Sequence, residues 1–501
     1  MAKAARTPVI IGVGQVNDRP ADPAAGLDSL GLMAAALRAA DADAGGGWLA
    51  ALQSLAVVRQ ISCPGLGEIS GRLAAAAGAA PRLCYTTEGP SGDGPILLLN
   101  QAANRIAAGE IEVAAVVGGE ALRTAAQLAA RAAGDKPFAH NAARDISESR
   151  RAATYAARYG LTAPVDIYPL YENAGRAAYG QTLGEGQAET GEIWSRFSQV
   201  AMANPGAWIR KARTAEEITQ PTADNRPIAF PYTKLTVANS SVNQGAGFIV
   251  TSLARALAAG VPEARLIYVG AGAAAHEDDD FLRRDRYDRT TAMEVSLRQA
   301  MALNGLTTED LDYAELYSCF PCVPKMARRV IGWPLDRPAT VFGGLTFGGG
   351  PIANYMSHAV VGMVLRLRER GRYGLLFANG GLATHNHSLV LGRAPPSDGA
   401  LPQDFDVQAQ ADALRGPIPA LAPDYVGEGV IETYTVLYGR DGQPRFGVVV
   451  GRNPSGARFL AKILPEDEAG IAFLTDGATE PVGTPGAAVA GAEGEILWRR
   501  A

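Results

Sequence analysis

The sequence predicts a duplicated α/β fold with a helical insertion and a small C-terminal β-barrel-like domain. Three observations carry this. Small apolar runs that stop in paired glycines recur in two parts of the chain, AAVVGGEAL at 114–122 and LLFANGGLA at 375–383. Continuous apolar strands alternate with helix-like segments through both parts, the pattern of sheet covered on both faces. Past residue 392 the pattern gives way to short alternating strands separated by turn residues.

Composition sets the limits. At 501 residues the chain exceeds the usual size of a single core. Its 58 glycines and 31 prolines, with 47% hydrophobic and 19% charged residues, indicate turns and close backbone approaches in a globular protein. A net charge of −5 without a basic block excludes nucleic acid as a partner class. The opening MAKAARTPVIIGVG reads as a first strand and not as a leader, and no apolar run approaches the ~18 residues of a membrane span. A cytoplasmic location is therefore expected, with no integral membrane segment. The four cysteines, Cys63, Cys84, Cys319 and Cys322, suit a reducing compartment. Cys319 and Cys322 form a lone CFPC without the βαβ context of a redox motif or a second pair for zinc, so a structural or pocket-lining role is expected and no metal.

The elements follow in order. PVIIGVGQV at 8–16 is a buried strand, LDSLGLMAAALRAADA a helix and LQSLAVVRQ a second strand. TTEGPSGDGP is a Gly-rich turn before ILLLNQAANRIAAGE, a helix apolar from its start and hence central, and the strand IEVAAVVGG closes the unit. Residues 123–230 break this rhythm with ARDISESRRAATYAARYG, DIYPLYENAGRAAYG and EIWSRFSQVAMANP, helix-like runs with polar faces that predict a helical cap over the site. LTVANSSVNQGAGFIVTSLARAL completes a first half at residues 1–263. The second half, 264–392, opens with ARLIYVGAGAA, an echo of the first strand, and repeats helix, strand, Gly loop, helix and strand. Residues 393–427 read as a linker. In 428–501, IETYTVLYGRDGQPRFGVVVGR is a hairpin about Asp441 and Gly442, followed by ARFLAKIL and TPGAAVAG as short strands.

In this order, NQAANRIAAGEIEVAAVVGGEAL, TVANSSVNQGAGFIV, ELYSCF and GGLTFGGGP resemble the thiolase superfamily, over about residues 5–392, and in particular its thiolase-like members with an additional C-terminal domain. The resemblance implies a five-layered αβαβα fold, a cap that binds coenzyme A or acyl-CoA as ligand with no tightly bound cofactor, and a homodimer. It also implies a nucleophilic cysteine before the central helix, but that position is Gly92. The family histidine falls at Gly350, the acid/base cysteine at Ala378, and the substrate-activating tetrad at Tyr317, Ser318, Cys319 and Phe320.

Several residues remain candidates for chemistry, each with a structural alternative. Tyr317 can donate to a carbonyl or fill the pocket. Cys319 is a relocated nucleophile or a buried thiol. Asn379 donates to a thioester carbonyl or serves a turn. His385 and His387, two apart in THNHS, share a face if extended and could supply a base or bind metal; no carboxylate or cysteine set completes a metal site, and His385 is the candidate base. Amides of Gly349, Gly350, Gly380 and Gly381 form an anion hole or only permit tight turns. His358, Asp93 and Tyr355 are further candidates for lining the pocket. Arg210, Lys211 and Arg213 in WIRKART, with Asn239, Ser240 and Ser241, match the family's coenzyme A region, or are a solvated turn and a cap.

Three functions stay open at this point. One is thioester chemistry without a covalent intermediate, of an aldol or C–C lyase type. Another is acetyl-CoA acyltransferase activity using relocated residues. The third is a non-catalytic coenzyme A-binding or assembly protein, whose C-terminal domain offers a partner surface.

Overall fold

The computed structural model describes residues 5–136, 154–396, 400–492 and 494–500. The apolar runs form strands β1 (Pro8–Asn17), β2 (Ser54–Val57), β3 (Leu83–Thr86) and β4 (Val113–Ala121). The cap contributes the short β5 (Pro227–Ala229) and β6 (Tyr232–Thr233). They are followed by β7 (Asn243–Ser252), β8 (Ile267–His276), β9 (Tyr313–Leu316), β10 (Tyr373–Gly380) and β11 (His385–Gly392). Nine of these strands join in the order β3-β2-β4-β7-β1-β8-β11-β10-β9. Outward from the β1/β8 seam, β7, β4 and β2 on one side match β11, β10 and β9 on the other, which is the duplication in three dimensions.

The seam itself registers only Val9 with Tyr268 and Ile10 with Ile267. The halves are joined chiefly through two helices between them, Gly94–Ala108 and Tyr355–Glu369, each packed on strands of both halves. Outer helices Ser29–Asp43 and Thr291–Leu303 cover β1, β4 and β7 and β8 and β11 respectively, giving five alternating layers. Gly94–Ala108 starts with proline in its first turn and ends at left-handed Gly109 (φ 78°). Between these signals Ile96, Leu98, Leu99, Ala102, Ala103 and Ile106 are all buried, as a central helix requires.

The cap differs from its sequence pattern. Most of ARDISESRRAATYAARYG lies outside the described residues. Helices Pro164–Ala178 and Leu183–Ala203 form, but the first has no solvated polar face: it is buried continuously from Asp166 to Arg176. Its polar side chains have partners instead. Asn173 Nδ2 donates to the Tyr434 carbonyl at 2.9 Å, Arg176 pairs with Glu480 at 2.5 Å, and Glu172 with Lys325 at 2.5 Å.

Residues 405–414, within the segment expected to be a linker, are docked on the second half. Ala274 N–H donates to Phe405 C=O at 2.7 Å, Val407 N–H returns to Ala274 C=O at 2.9 Å, and a short helix, Gln408–Leu414, follows. Beyond it come β12 (Gly427–Tyr438), β13 (Pro444–Arg452), β14 (Arg458–Ile463), β15 (Pro485–Ala490) and β16 (Ile496–Arg500). They close on themselves in the order β12-β13-β14-β16-β15, with helix Glu468–Thr475 inserted in the chain after β14. The β12–β13 hairpin turns at Gly442, whose φ of 80° favours glycine. Cap strand β5 pairs with β12 through Ala229 and Leu437, so the cap extends the barrel sheet to seven strands. Among the described residues, no helix is long and apolar enough to cross a membrane.

Candidate functional site

Gly92 lies at the turn where the chain enters the central helix. A Cβ built there would overlap the Asn379 carbonyl oxygen and the Tyr317 hydroxyl, and would stand 2.8 Å from the phenol's Cζ. The space a cysteine side chain would need is therefore filled by Tyr317. This tyrosine follows β9, is 7% exposed, and is fixed by its N–H to Phe377 C=O at 3.1 Å and by an edge-on contact with Tyr355 at 5.9 Å. Its hydroxyl has no hydrogen-bond partner among the described residues. Burial, reinforced by Cys319 and Asp93, holds the phenol well above its usual range, so Tyr317 is a neutral donor.

Asp93, the next residue after Gly92, stands at the N-cap position of the central helix without capping it. Its carboxylate accepts from Ser91 Oγ and lies against Gly380, where a Cβ would come 2.8 Å from Oδ1 and also overlap Ser91. Gly380 thus leaves room for the Ser91–Asp93 pair. Gly92, Asp93, Tyr317, Asn379 and Gly380 form one cluster.

The remaining candidates divide by environment. Asn379 is engaged on both ends of its amide: Oδ1 accepts from Tyr168 at 3.1 Å and Nδ2 donates to Asn386 at 3.0 Å. Tyr168 also donates to Gly381 C=O and accepts from Ala383 N–H, fastening the whole turn after β10. Gly350 N–H donates to Asn239 C=O at 2.8 Å, and Gly349 lies against the Gln244 carboxamide, away from the Gly92 cluster in their immediate contacts. Asn239 Oδ1 accepts from Ser241 N–H at 3.2 Å, and Ser240 C=O from Val242 N–H at 2.9 Å; this turn leads into β7, so there is no helix for it to cap.

His385 is half-exposed and directed at Asp279, 3.8 Å away. His387 is fully buried, bonded through Nε2 to Asn100 at 3.0 Å, with Nδ1 unpaired. It pairs in register with Ala378 and so occupies the same sheet face beside that small residue. Burial lowers its pKa to about 4. His358 is lowered to about 3 for the same reason, and bonds to Gln15 at 3.0 Å.

Cys322 opens helix Cys322–Ile331, yet burial pushes its thiol far up, and that of Cys319 up to about 12, the opposite of what a reactive thiolate needs. Among the described residues no cluster of side chains could hold a metal ion. Two buried acids escaped sequence reasoning. Glu315 accepts from Tyr355 at 2.7 Å and Val341 N–H at 2.8 Å, and Glu120 from Ile61 N–H at 2.7 Å; burial raises each to about 7.

On the cap, Trp208 and Ile209 N–H groups donate to Gly348 and Phe347 carbonyls at 2.9 and 2.7 Å, laying this irregular segment along the turn before Gly349. Arg210 and Lys211 follow, both exposed, while Arg213 pairs with Glu217 at 2.8 Å.

Comparison with known proteins agrees with this architecture. A monomeric SCP2-thiolase-like protein type 1 from Mycobacterium smegmatis is 30% identical, with 99% of this chain and 100% of that one aligned at a TM-score of 0.82. The Ltp2–ChsH2(DUF35) aldolase matches at 19% identity, 78% and 98% coverage and TM-score 0.59. Human mitochondrial 3-ketoacyl-CoA thiolase in complex with CoA matches at 13%, 78% and 98%, and 0.58. Residues 406–492 match the thiolase-like protein type 1 additional C-terminal domain. No curated protein sequence matches the chain.

The homodimer expected from the resemblance is corrected by the monomeric state of the Mycobacterium smegmatis protein. The fold offers a physical reason: the nine-stranded sheet ends at both edges in strands of four residues, β3 and β9, too short to template a partner sheet. On full-length similarity and the additional domain together, the chain belongs to the thiolase-like protein type 1 family of the thiolase superfamily.

Proposed function

We propose that the protein binds coenzyme A thioesters in a thiolase-type site that forms no acyl-cysteine. The observation that carries this reading is the packing of the neutral Tyr317 phenol against Gly92, the position that the resemblance aligns with the thiolase nucleophile. The thiolase fold shared with a CoA-complexed enzyme supports the ligand class, as do exposed Arg210 and Lys211 beside the Phe347–Gly348 turn, which suit phosphate groups. Acyltransferase chemistry through Cys319 is disfavoured by its protonated thiol.

The unpartnered Tyr317 hydroxyl favours one further reading: it donates to the thioester carbonyl, as a non-covalent C–C lyase of aldol type requires. Calorimetric titration with CoA and a short acyl-CoA series, followed by intact-mass analysis, tests the proposal. Saturable acyl-CoA binding without a mass increment on the protein is the expected result. Absence of binding, or a covalent acyl adduct, overturns it. Turnover retained in full by Tyr317→Phe on an identified substrate removes the lyase reading.

A further inference from the structure

We infer that Asp93 is the proton acceptor of this site, removing an α-proton from a bound acyl thioester while Tyr317 hydrogen-bonds the carbonyl oxygen. The inference rests on the thioester-binding reading above.

Aspartate at a helix N-cap ordinarily accepts from an amide of the first turn and so stabilises the helix. Asp93 forgoes this bond. Its carboxylate is held instead by the Ser91 hydroxyl, over a neighbour, Gly380, whose missing side chain gives it room. It is half-buried and within electrostatic reach of both the Tyr317 phenol and the His387 ring. An unpartnered, nine-tenths-buried phenol aimed at Gly92 and a carboxylate one residue further on are the donor and acceptor that enolisation needs. Asp93 fills the role left open at Ala378 and Gly350. Ser91 donates to it, the Tyr317 phenol and the His387 ring lie within electrostatic reach, and His387 Nδ1 is itself unpaired among the described residues.

The step balances without a co-reactant. The Cα–H proton passes to the carboxylate, the C–H electron pair becomes the enolate double bond, and the carbonyl π pair moves to the oxygen bonded by Tyr317. Return of a proton from the carboxylic acid to Cα restores the thioester. In deuterium oxide the acid exchanges with solvent and returns deuterium.

The test is therefore mass analysis of acetyl-CoA and acetoacetyl-CoA incubated with the protein in deuterium oxide, beside calorimetric binding of the same ligands. Wild-type protein is expected to incorporate α-deuterium faster than buffer. Asp93→Asn should slow this by about 100-fold or more at unchanged affinity. Ser91→Ala, a milder change, should give an intermediate rate. Binding without exchange, or exchange at the wild-type rate in folded Asp93→Asn, overturns the Asp93 assignment alone. Failure to bind either ligand overturns the thioester reading and this inference with it.

Discussion

Tyr317 and Gly92 are sterically coupled: the phenol occupies the space that a side chain at Gly92 would need. A cysteine side chain does not fit at Gly92 by substitution there alone, because its Cβ would already collide with the Asn379 carbonyl and the Tyr317 ring. Gly92→Cys is expected to lose about 1–3 kcal/mol by overpacking and to gain no acyl group; thermal denaturation and intact mass after acetyl-CoA treatment check both parts. Acid sensitivity also belongs to single residues. Burial holds His387 at about 4 in the folded protein, below the ~6.5 of an exposed imidazole, so the unfolded chain binds the proton more tightly. Stability from this group is present above about pH 6.5 and is lost as pH falls towards 4, by up to about 3 kcal/mol. His387→Asn should make the pH dependence of the unfolding free energy shallower between those values; an unchanged slope would show that the ring titrates freely.

At the scale of elements, helix Pro164–Ala178 is tied to helix Cys322–Ile331 by the buried pair Glu172–Lys325, with Tyr232 donating to the same carboxylate at 2.9 Å. Lys325→Met removes one partner and leaves a buried charge, and is expected to cost about 3–5 kcal/mol. Adding Glu172→Leu should recover much of that loss, a comparison chemical denaturation makes directly. The same helix marks where sequence reasoning reached its limit. The first strand, the central helix and the β12–β13 hairpin were legible because local periodicity and turn residues specify them. The burial of Pro164–Ala178 was not, since its polar side chains are satisfied by barrel residues distant in sequence. Nor was β11, whose THNHS start lacks an apolar run, or β16, which closes the barrel by parallel pairing with β14. At the site, Gly92 and Tyr317 could be placed by motif order and Asp93 could be named as a pocket-lining candidate, but its missing capping bond is visible only in the structure. Asn379 looks available until Tyr168 and Asn386 are placed beside it.

Across the whole molecule, the C-terminal barrel is wired into the thiolase-like body. Arg458, fully buried, pairs with Glu432 at 2.6 Å and donates to the Leu282 and Arg284 carbonyls; Arg284 in turn donates to Leu382 C=O at 3.0 Å and Thr384 Oγ1 at 3.1 Å, in the turn that bears Gly380 and Gly381. Arg458→Met should therefore raise amide hydrogen exchange in residues 380–386 as well as in the barrel. A change confined to the barrel would break this connection. A monomer, the state of the Mycobacterium smegmatis protein, is the expected assembly here, and sedimentation should then report a mass near 52.2 kDa. The buried cap helix also carries a cost in the order of synthesis. Asn173 waits for Tyr434, 261 residues further along the chain, and Tyr171 for Leu382, 211 residues on. At about 5–20 residues per second, the ribosome leaves this helix without its final neighbours for roughly ten seconds to a minute. The nascent chain must meet that interval with a holdase or with transient cover from its own first half, so productive yield depends on translation speed as well as on final stability.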